Sequence, residues 1–283
     1  MSLTLFTLMM LLTGIAAGFA GSILGLGGGV IVTPILTLAF GIDIKLAIGT
    51  SILAVIATST GGTIAYLKDE LLNLRIAMFL EIFTALGGLI GALLAGLFHA
   101  TILFVLFGML LIFQSFNMYK KLRAGEEVLN KAVPDRLALK LKLNSSYYDK
   151  ASCTRVDYQV EKVPFGAAIM LGAGIASGLL GIGSGAFKVM AMDSVMKMPL
   201  KPSSATSNLM MGVTAAASAT VYFFNGDIKP TLAVPICLGI IAGSTIGSRV
   251  MQRIPAKMLR LIFIPVITLV AIQMLIRGFG GNF

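Results

Sequence analysis

The sequence predicts an all-α polytopic membrane protein: an inverted-topology tandem repeat with broken, half-length helices, plus a small β-hairpin in a cytoplasmic central linker. Three observations predict it. Of 283 residues, 57% are hydrophobic and only 12% are charged, with a mean hydropathy of +0.94, whereas a soluble domain carries about 25% charged residues. A glycine-rich interruption, Leu24-Gly25-Leu26-Gly27-Gly28-Gly29, returns as Leu180-Gly181-Ile182-Gly183-Ser184-Gly185, 156 residues later. The basic residues collect in a few stretches between apolar segments, as the positive-inside rule requires of cytoplasmic loops.

The first repeat takes residues 1–119, with apolar segments at 3–24, 28–41, 46–67, 74–98 and 100–119. The first basic residue is Lys45. The charged start of a secretory signal is therefore missing, and 3–24 is expected to be a retained helix. A crossing needs about 20 helical residues. The segment 28–41 is too short for that at about 1.5 Å per residue, and is read as a half-helix meeting 3–24 at the glycine break. Glycine inside a helix costs about 1 kcal/mol against alanine, so the run Gly27-Gly28-Gly29 should interrupt it.

The linker, 120–163, holds ten Lys or Arg against six Asp or Glu and is expected to be cytoplasmic. Leu137–Leu143 and Val156–Glu161 alternate with period two, and Asn144-Ser145-Ser146 and Asp149-Lys150 lie between them. That pattern predicts a hairpin with strands on those two runs.

The second repeat takes 164–283, with segments at 164–181, 184–198, 202–224, 230–248 and 258–276; 184–198 is the second half-helix. Without a gap, Gly18 aligns with Gly174, Lys45 with Lys201, Thr50-Ser51 with Thr206-Ser207, Tyr66 with Tyr222, Gly87 with Gly243, Gly91 with Gly247 and Phe107 with Phe263. We read this register as an internal duplication. Arg249, Arg253, Lys257 and Arg260 follow the fourth segment of the second repeat, where the first repeat has only His99. Equivalent loops then lie on opposite sides of the membrane, and both termini lie outside. Five elements per repeat require this inversion by parity.

A helix starting just after a glycine cluster aims unsatisfied N–H groups and a positive dipole end at the break. Two such starts facing one cavity make a site for an anion. The expected lining is Gly25, Gly27, Gly28 and Gly29 with Gly181, Gly183, Ser184 and Gly185. Thr50, Ser51, Thr206, Ser207 and Asn208 supply hydrogen-bonding groups, though polar residues of this kind also hold helices together. Lys188, where the first repeat has Val32, is expected to contact the anion, because an intramembrane cation is costly and faces an interior. Glu81, aligned with Cys237, and Asp193, which can reach Lys188 or Lys197 along one helical face, are the candidates for coupling to protons.

Other chemistry is excluded. Two cysteines, Cys153 and Cys237, make no disulfide framework, and a buried thiol usually just packs. There is no Walker A sequence, no CxxC pair and one histidine, so no metal or cofactor is expected. The glycine run has neither the βαβ context nor the acidic residue of a dinucleotide loop. The net charge of +10 is accounted for by loops, which excludes nucleic acid as a partner.

The motifs Gly25-Leu26-Gly27-Gly28-Gly29 followed by Pro34, Ala47-Ile48-Gly49-Thr50-Ser51, Gly181-Ile182-Gly183-Ser184-Gly185 and Ala205-Thr206-Ser207-Asn208 resemble the TauE/SafE family of membrane transporters. The Gly247-Ser248-Arg249 to Arg260 stretch is similar to the family's final loop. The resemblance covers residues 3–119 and 164–277. It implies a multi-pass plasma-membrane protein that moves sulfite, a sulfonate or a related small anion. Ser184, Lys188 and Met190 depart from the family's glycine, apolar residue and proline, at the expected site. The reading is therefore a non-enzymatic secondary transporter in the lipid bilayer, for which a homo-oligomer is compatible. An anion channel with the same constriction and, further off, an integral-membrane enzyme are the alternatives.

Overall fold

The computed structural model describes residues 3–24, 27–68, 70–124, 135–149, 153–251 and 256–280. The chain opens with α1 (Leu3–Leu24), then α2 (Gly29–Pro34), which runs on as a π-helical turn over Ile35–Ala39. Three long helices follow: α3 (Ile44–Lys68), α4 (Leu74–Leu97) and α5 (Ala100–Ala124). The linker region holds α6 (Arg136–Lys140), β1 (Ser145–Asp149) and β2 (Thr154–Tyr158). The second half repeats the pattern with α7 (Val163–Leu180), α8 (Gly185–Met190, with a π-helical turn over Ala191–Val195), α9 (Leu200–Phe224), α10 (Pro230–Met251) and α11 (Ala256–Gly278). Among the described residues, α1, α3, α4, α5, α7 and α10 are long and apolar enough to cross a membrane.

Both expected breaks are present. The first helix ends at Leu24 and α2 starts at Gly29. In the second half α7 is closed by Gly181 at φ +66°, the left-handed conformation glycine adopts without a Cβ penalty. Gly29–Ala39 has too few residues to span about 30 Å of hydrocarbon, as the short segment anticipates. Pro34 precedes the first π-turn. The second π-turn forms with Met190 in that place, so a missing proline N–H is not its cause.

The hairpin exists, but the strands differ from the expectation. Leu137–Leu143 is not a strand: Asp135 caps α6 there, its Oδ1 accepting from Ala138 N at 2.7 Å. Lys142 then turns the chain at φ +51°. An Asx cap satisfies helix-start N–H groups locally, which outweighs a period-two run that buries only Ala138 and Leu143. The first strand lies instead on Ser145–Asp149, paired antiparallel with Thr154–Tyr158 in the register Tyr147 to Val156. The expected turn residues Ser145 and Ser146 are therefore in a strand. The second expected strand is shifted toward the N-terminus by two or three residues.

The helices pack across the halves. The first helix lies against α10 and α7 against α4, while α3 packs on both α9 and α10 and α9 on both α3 and α4. Glycines permit this closeness: a Cβ on Gly87 or Gly91 would strike the α7 backbone, and one on Gly239 or Gly243 would strike that of α1. Helices five and eleven pair through Ser115 and Thr268, whose hydroxyls lie 2.6 Å apart.

Two ends can be distinguished. At the linker end, Asn73 Nδ2 donates to Leu143 O at 2.8 Å and to the Tyr158 hydroxyl at 3.0 Å. Lys201 Nζ pairs there with Asp149 Oδ1 at 2.5 Å, and Glu161 N donates to Met196 O at 3.1 Å. At the far end, Lys45 Nζ donates to Gly96 O at 3.4 Å, and Gly49 lies against the backbone of Asp227.

Candidate functional site

The two interruptions meet in the interior. Gly27 at φ +76° and Gly183 at φ +71° are aligned by the 156-residue register. Each abuts the same two side chains, Val55 of α3 and Met211 of α9, themselves 156 residues apart. Gly29 approaches so closely that a Cβ would strike the carbonyl oxygen of Gly181. Glycine permits that approach of backbone to backbone. Gly25 lies outside the described residues.

Hydroxyls on α3 and α9 hold the turns. Ser51 Oγ donates to Gly181 O at 2.8 Å or to Ile48 O at 2.9 Å. Gly28 N donates to Thr58 Oγ1 at 3.1 Å. In the second half Ser207 Oγ donates to Gly185 O at 3.3 Å. Ser184 adopts φ +47° at the start of α8, and its buried Oγ has no hydrogen-bond partner.

The other sequence-derived candidates separate. Thr206 Oγ1 accepts from Asn73 N at 3.1 Å, tying α9 to the α3–α4 connection. Its counterpart Thr50 has a buried Oγ1 with no partner. Asn208 Nδ2 donates to Ser59 O at 3.2 Å, a contact between α9 and α3, while Asn208 Oδ1 is unpartnered. Asp193 sits half-buried in the π-turn that leads to the linker end.

Lys188 is fully buried and its ion-pair partner is Glu81 of α4, with Nζ 3.9 Å from Oε2. Between them stands Thr214. Its Oγ1 accepts from Lys188 Nζ at 2.6 Å and donates to Glu81 Oε1 at 2.7 Å or to Met210 O at 3.0 Å. Thr84 Oγ1 reaches Glu81 Oε2 at 2.8 Å. The cluster thus joins the fourth helix of the first half to the break of the second. The register positions corresponding to Lys188, Glu81 and Thr84 are Val32, Cys237 and Ile240, and these pack in one apolar cluster with Leu36 and Ile236. One half is charged where the other is greasy.

A model of the family described as "Sulfite exporter TauE/SafE" matches residues 10–274. The chain belongs to the TauE/SafE family. It is 27% identical over 272 residues to "Probable membrane transporter protein YunE" of Bacillus subtilis, covering 94% of this chain and 96% of that protein. It is 26% identical over 258 residues to the similarly named YdhB of the same organism, covering 90% and 93%. A Xylella fastidiosa "Probable membrane transporter protein" is 25% identical over 272 residues, covering 95% of both. No solved structure matches. With six such apolar helices among the described residues and this family, the protein is a multi-pass membrane transporter.

In this TauE/SafE protein the sequence reading missed Val55, Met211, Thr58, Thr84 and Thr214. For four of them a signal was available. Val55 aligns with Met211 and Thr58 with Thr214 at the same 156-residue offset that links the glycine clusters. Thr84, aligned with Ile240, carries no such mark.

Proposed function

We propose that this protein is a secondary transporter carrying a small sulfur-containing anion, sulfite or a sulfonate, across the plasma membrane by alternating access about the paired breaks. The observation that carries the reading is the meeting of Gly27 and Gly183 on the same pair of side chains, Val55 and Met211. Discontinuous helices whose starts converge near mid-membrane are how secondary transporters hold charged substrates. The anion is held by the backbone of the two breaks, by Thr50, Ser51, Ser184 and Ser207, and by Lys188, with Thr206 and Asn208 buttressing the helices around them.

Two sets of contacts support an inverted repeat as the moving frame. The α3–α4 connection meets the linker through Asn73, whereas the equivalent α9–α10 connection meets Gly49 at the far end through Asp227. Lys201 pairs at the linker end, and its counterpart Lys45 bonds at the far end. These contacts support a reading in which equivalent elements run in opposite directions, with the linker cytoplasmic and the termini outside. Because the halves exchange helices, the units that rock are the α1–α3–α10 and α4–α7–α9 groups, which meet along the α3–α9 contact.

The test is flux in proteoliposomes of purified protein, with radiolabelled sulfite and a short alkanesulfonate as substrates. Saturable uptake, accelerated by unlabelled anion on the opposite side, is expected. A conductance that rises without saturation and shows no such exchange would establish a channel and overturn the carrier.

A further inference from the structure

We infer that Glu81 and the transported anion take turns on the Lys188 ammonium, so that one proton enters the site with each monovalent anion. This rests on the transport reading above and extends it to the coupling ion and to substrate charge.

The geometry supplies the argument. An ammonium has three donors, yet among the described residues Lys188 Nζ has one hydrogen-bond acceptor, Thr214 Oγ1 at 2.6 Å. The carboxylate of Glu81, at 3.9 Å, is beyond hydrogen-bond range. It neutralises the lysine without saturating it. Glu81 meanwhile is held by the hydroxyls of Thr214 and Thr84. A hydroxyl donates to a carboxylate and can equally stay beside a carboxylic acid, because it both donates and accepts. Lys188 lies four residues after Ser184, whose buried Oγ is unpartnered at the break. The ammonium's unused donors and the unpartnered hydroxyl therefore belong to one short element.

The other ionisable groups described on the helices packed against this pair are few, and most are engaged elsewhere. Besides Glu81, α4 carries only Arg75, at its linker end, where Nη1 donates to Lys142 O. The α7 helix has no ionisable side chain. The α9 helix has Lys201, engaged with Asp149, and Tyr222, bonded to Gly178 O. The α8 element adds Asp193 in its π-turn.

The empty site is neutral, one ammonium against one carboxylate. A monovalent anion entering alone would leave a net negative charge in a medium where an uncompensated buried ion is costly. If Glu81 takes a proton from the solvent on the open side, one O–H bond forms, the lysine stays protonated, and the loaded site is neutral again. Both the empty and the loaded protein can then rock without carrying net charge into hydrocarbon. Release on the other side reverses the step.

The experiment is calorimetric titration of purified wild-type and Glu81→Gln protein with methanesulfonate, a permanent monoanion, in buffers of different ionisation enthalpy. Wild type is expected to take up about one proton per anion, its affinity falling about tenfold per unit rise in pH. Glu81→Gln is expected to take up none and to bind independently of pH. Binding to wild type without proton uptake, or uptake that survives in Glu81→Gln, overturns the inference while leaving the transport reading intact. Failure of methanesulfonate and sulfite to bind either protein overturns the anion site itself. Infrared difference spectra of wild type with and without methanesulfonate, at one fixed pH, keep the test independent of how well the variant folds. A carboxylic-acid band gained on anion binding is expected, and anion binding that produces no such band overturns the inference.

Discussion

Tyr66 and Tyr222 occupy the same place in the two halves. Each is fully or nearly fully buried and donates its hydroxyl over 2.8 Å to a main-chain oxygen, of Ser22 in α1 and of Gly178 in α7 respectively. The acceptors are themselves 156 residues apart, so each tyrosine pins the helix that leads into its half's break. Tyr66→Phe and Tyr222→Phe should each destabilise the protein by about 1–2 kcal/mol, because a buried carbonyl loses its partner. Thermal unfolding in detergent checks this; similar losses are expected from both variants.

The glycines of the first half separate into those limited by space and those that merely turn. A Cβ on Gly29 would strike the backbone oxygen of Gly181, which cannot move aside as a flexible side chain can. Gly41, at φ +65°, faces open space, with no atom within 4 Å of where a Cβ would stand. Gly29→Ala should therefore abolish flux in proteoliposomes, whereas Gly41→Ala should cost only the left-handed strain of about 1–2 kcal/mol and retain flux. The comparison is made at equal amounts of reconstituted protein.

Removing one member of the buried pair should be worse than removing both. Lys188→Met leaves Glu81 without its counter-ion, a loss of about 3 kcal/mol or more, while replacing a buried pair by apolar residues is often neutral. The double variant Lys188→Met/Glu81→Met should recover most of that stability, and the apolar cluster around Val32 and Ile240 shows how such a site packs. Unfolding of Lys188→Met, Glu81→Met and the double variant measures the coupling. Anion binding should be lost in both variants that lack the lysine.

Asn73 joins three parts of the molecule. Its Oδ1 caps α4 by accepting from Ile76 N at 3.1 Å, its amide binds Leu143 O and Tyr158, and its N–H reaches Thr206. Asn73→Ala should destabilise by about 1–2 kcal/mol through the lost cap alone. It should also speed proteolytic cleavage within the linker, because the hairpin loses its hold on the α3–α4 connection. Cleavage at the wild-type rate would show that Lys201–Asp149 and the Glu161 backbone suffice to seat it.

At the far end, burial holds the Asp227 carboxyl above its ordinary range; Lys45 opposes that shift and Asp43 adds to it. A carboxyl raised in the folded state binds more protons folded than unfolded, so stability falls as pH rises from the ordinary aspartate range through the folded value. Asp227→Asn should therefore stabilise the protein at neutral pH, with the gain disappearing on acidification to the ordinary aspartate range. Melting temperatures of both proteins across that range provide the check.

How much could be read from the chain follows from how local each property is. Helix spans and both breaks depend on hydropathy and glycine within a short window, and the observed elements follow the predicted segments closely. The 156-residue register could be read from the sequence alone, and residues that it pairs, such as Tyr66 and Tyr222, make matched bonds. The hairpin was legible as a hairpin but not in its strands, because Asp135 captures Arg136–Lys140 as a helical turn, using an N-cap that the alternation of leucines conceals.

The sequence by itself determined the membrane class, the two interruptions and the unmatched lysine opposite Val32. Only the tertiary structure decided what that lysine faces. Glu81 lies in the other half, with Thr84 three residues on along the same helix, and Thr214 comes from α9, which meets α4 across the halves. A charge inside an apolar segment declares its own cost, which is local. The group that offsets the cost is chosen by helix crossings between distant parts of the chain, and no periodicity within a segment records them.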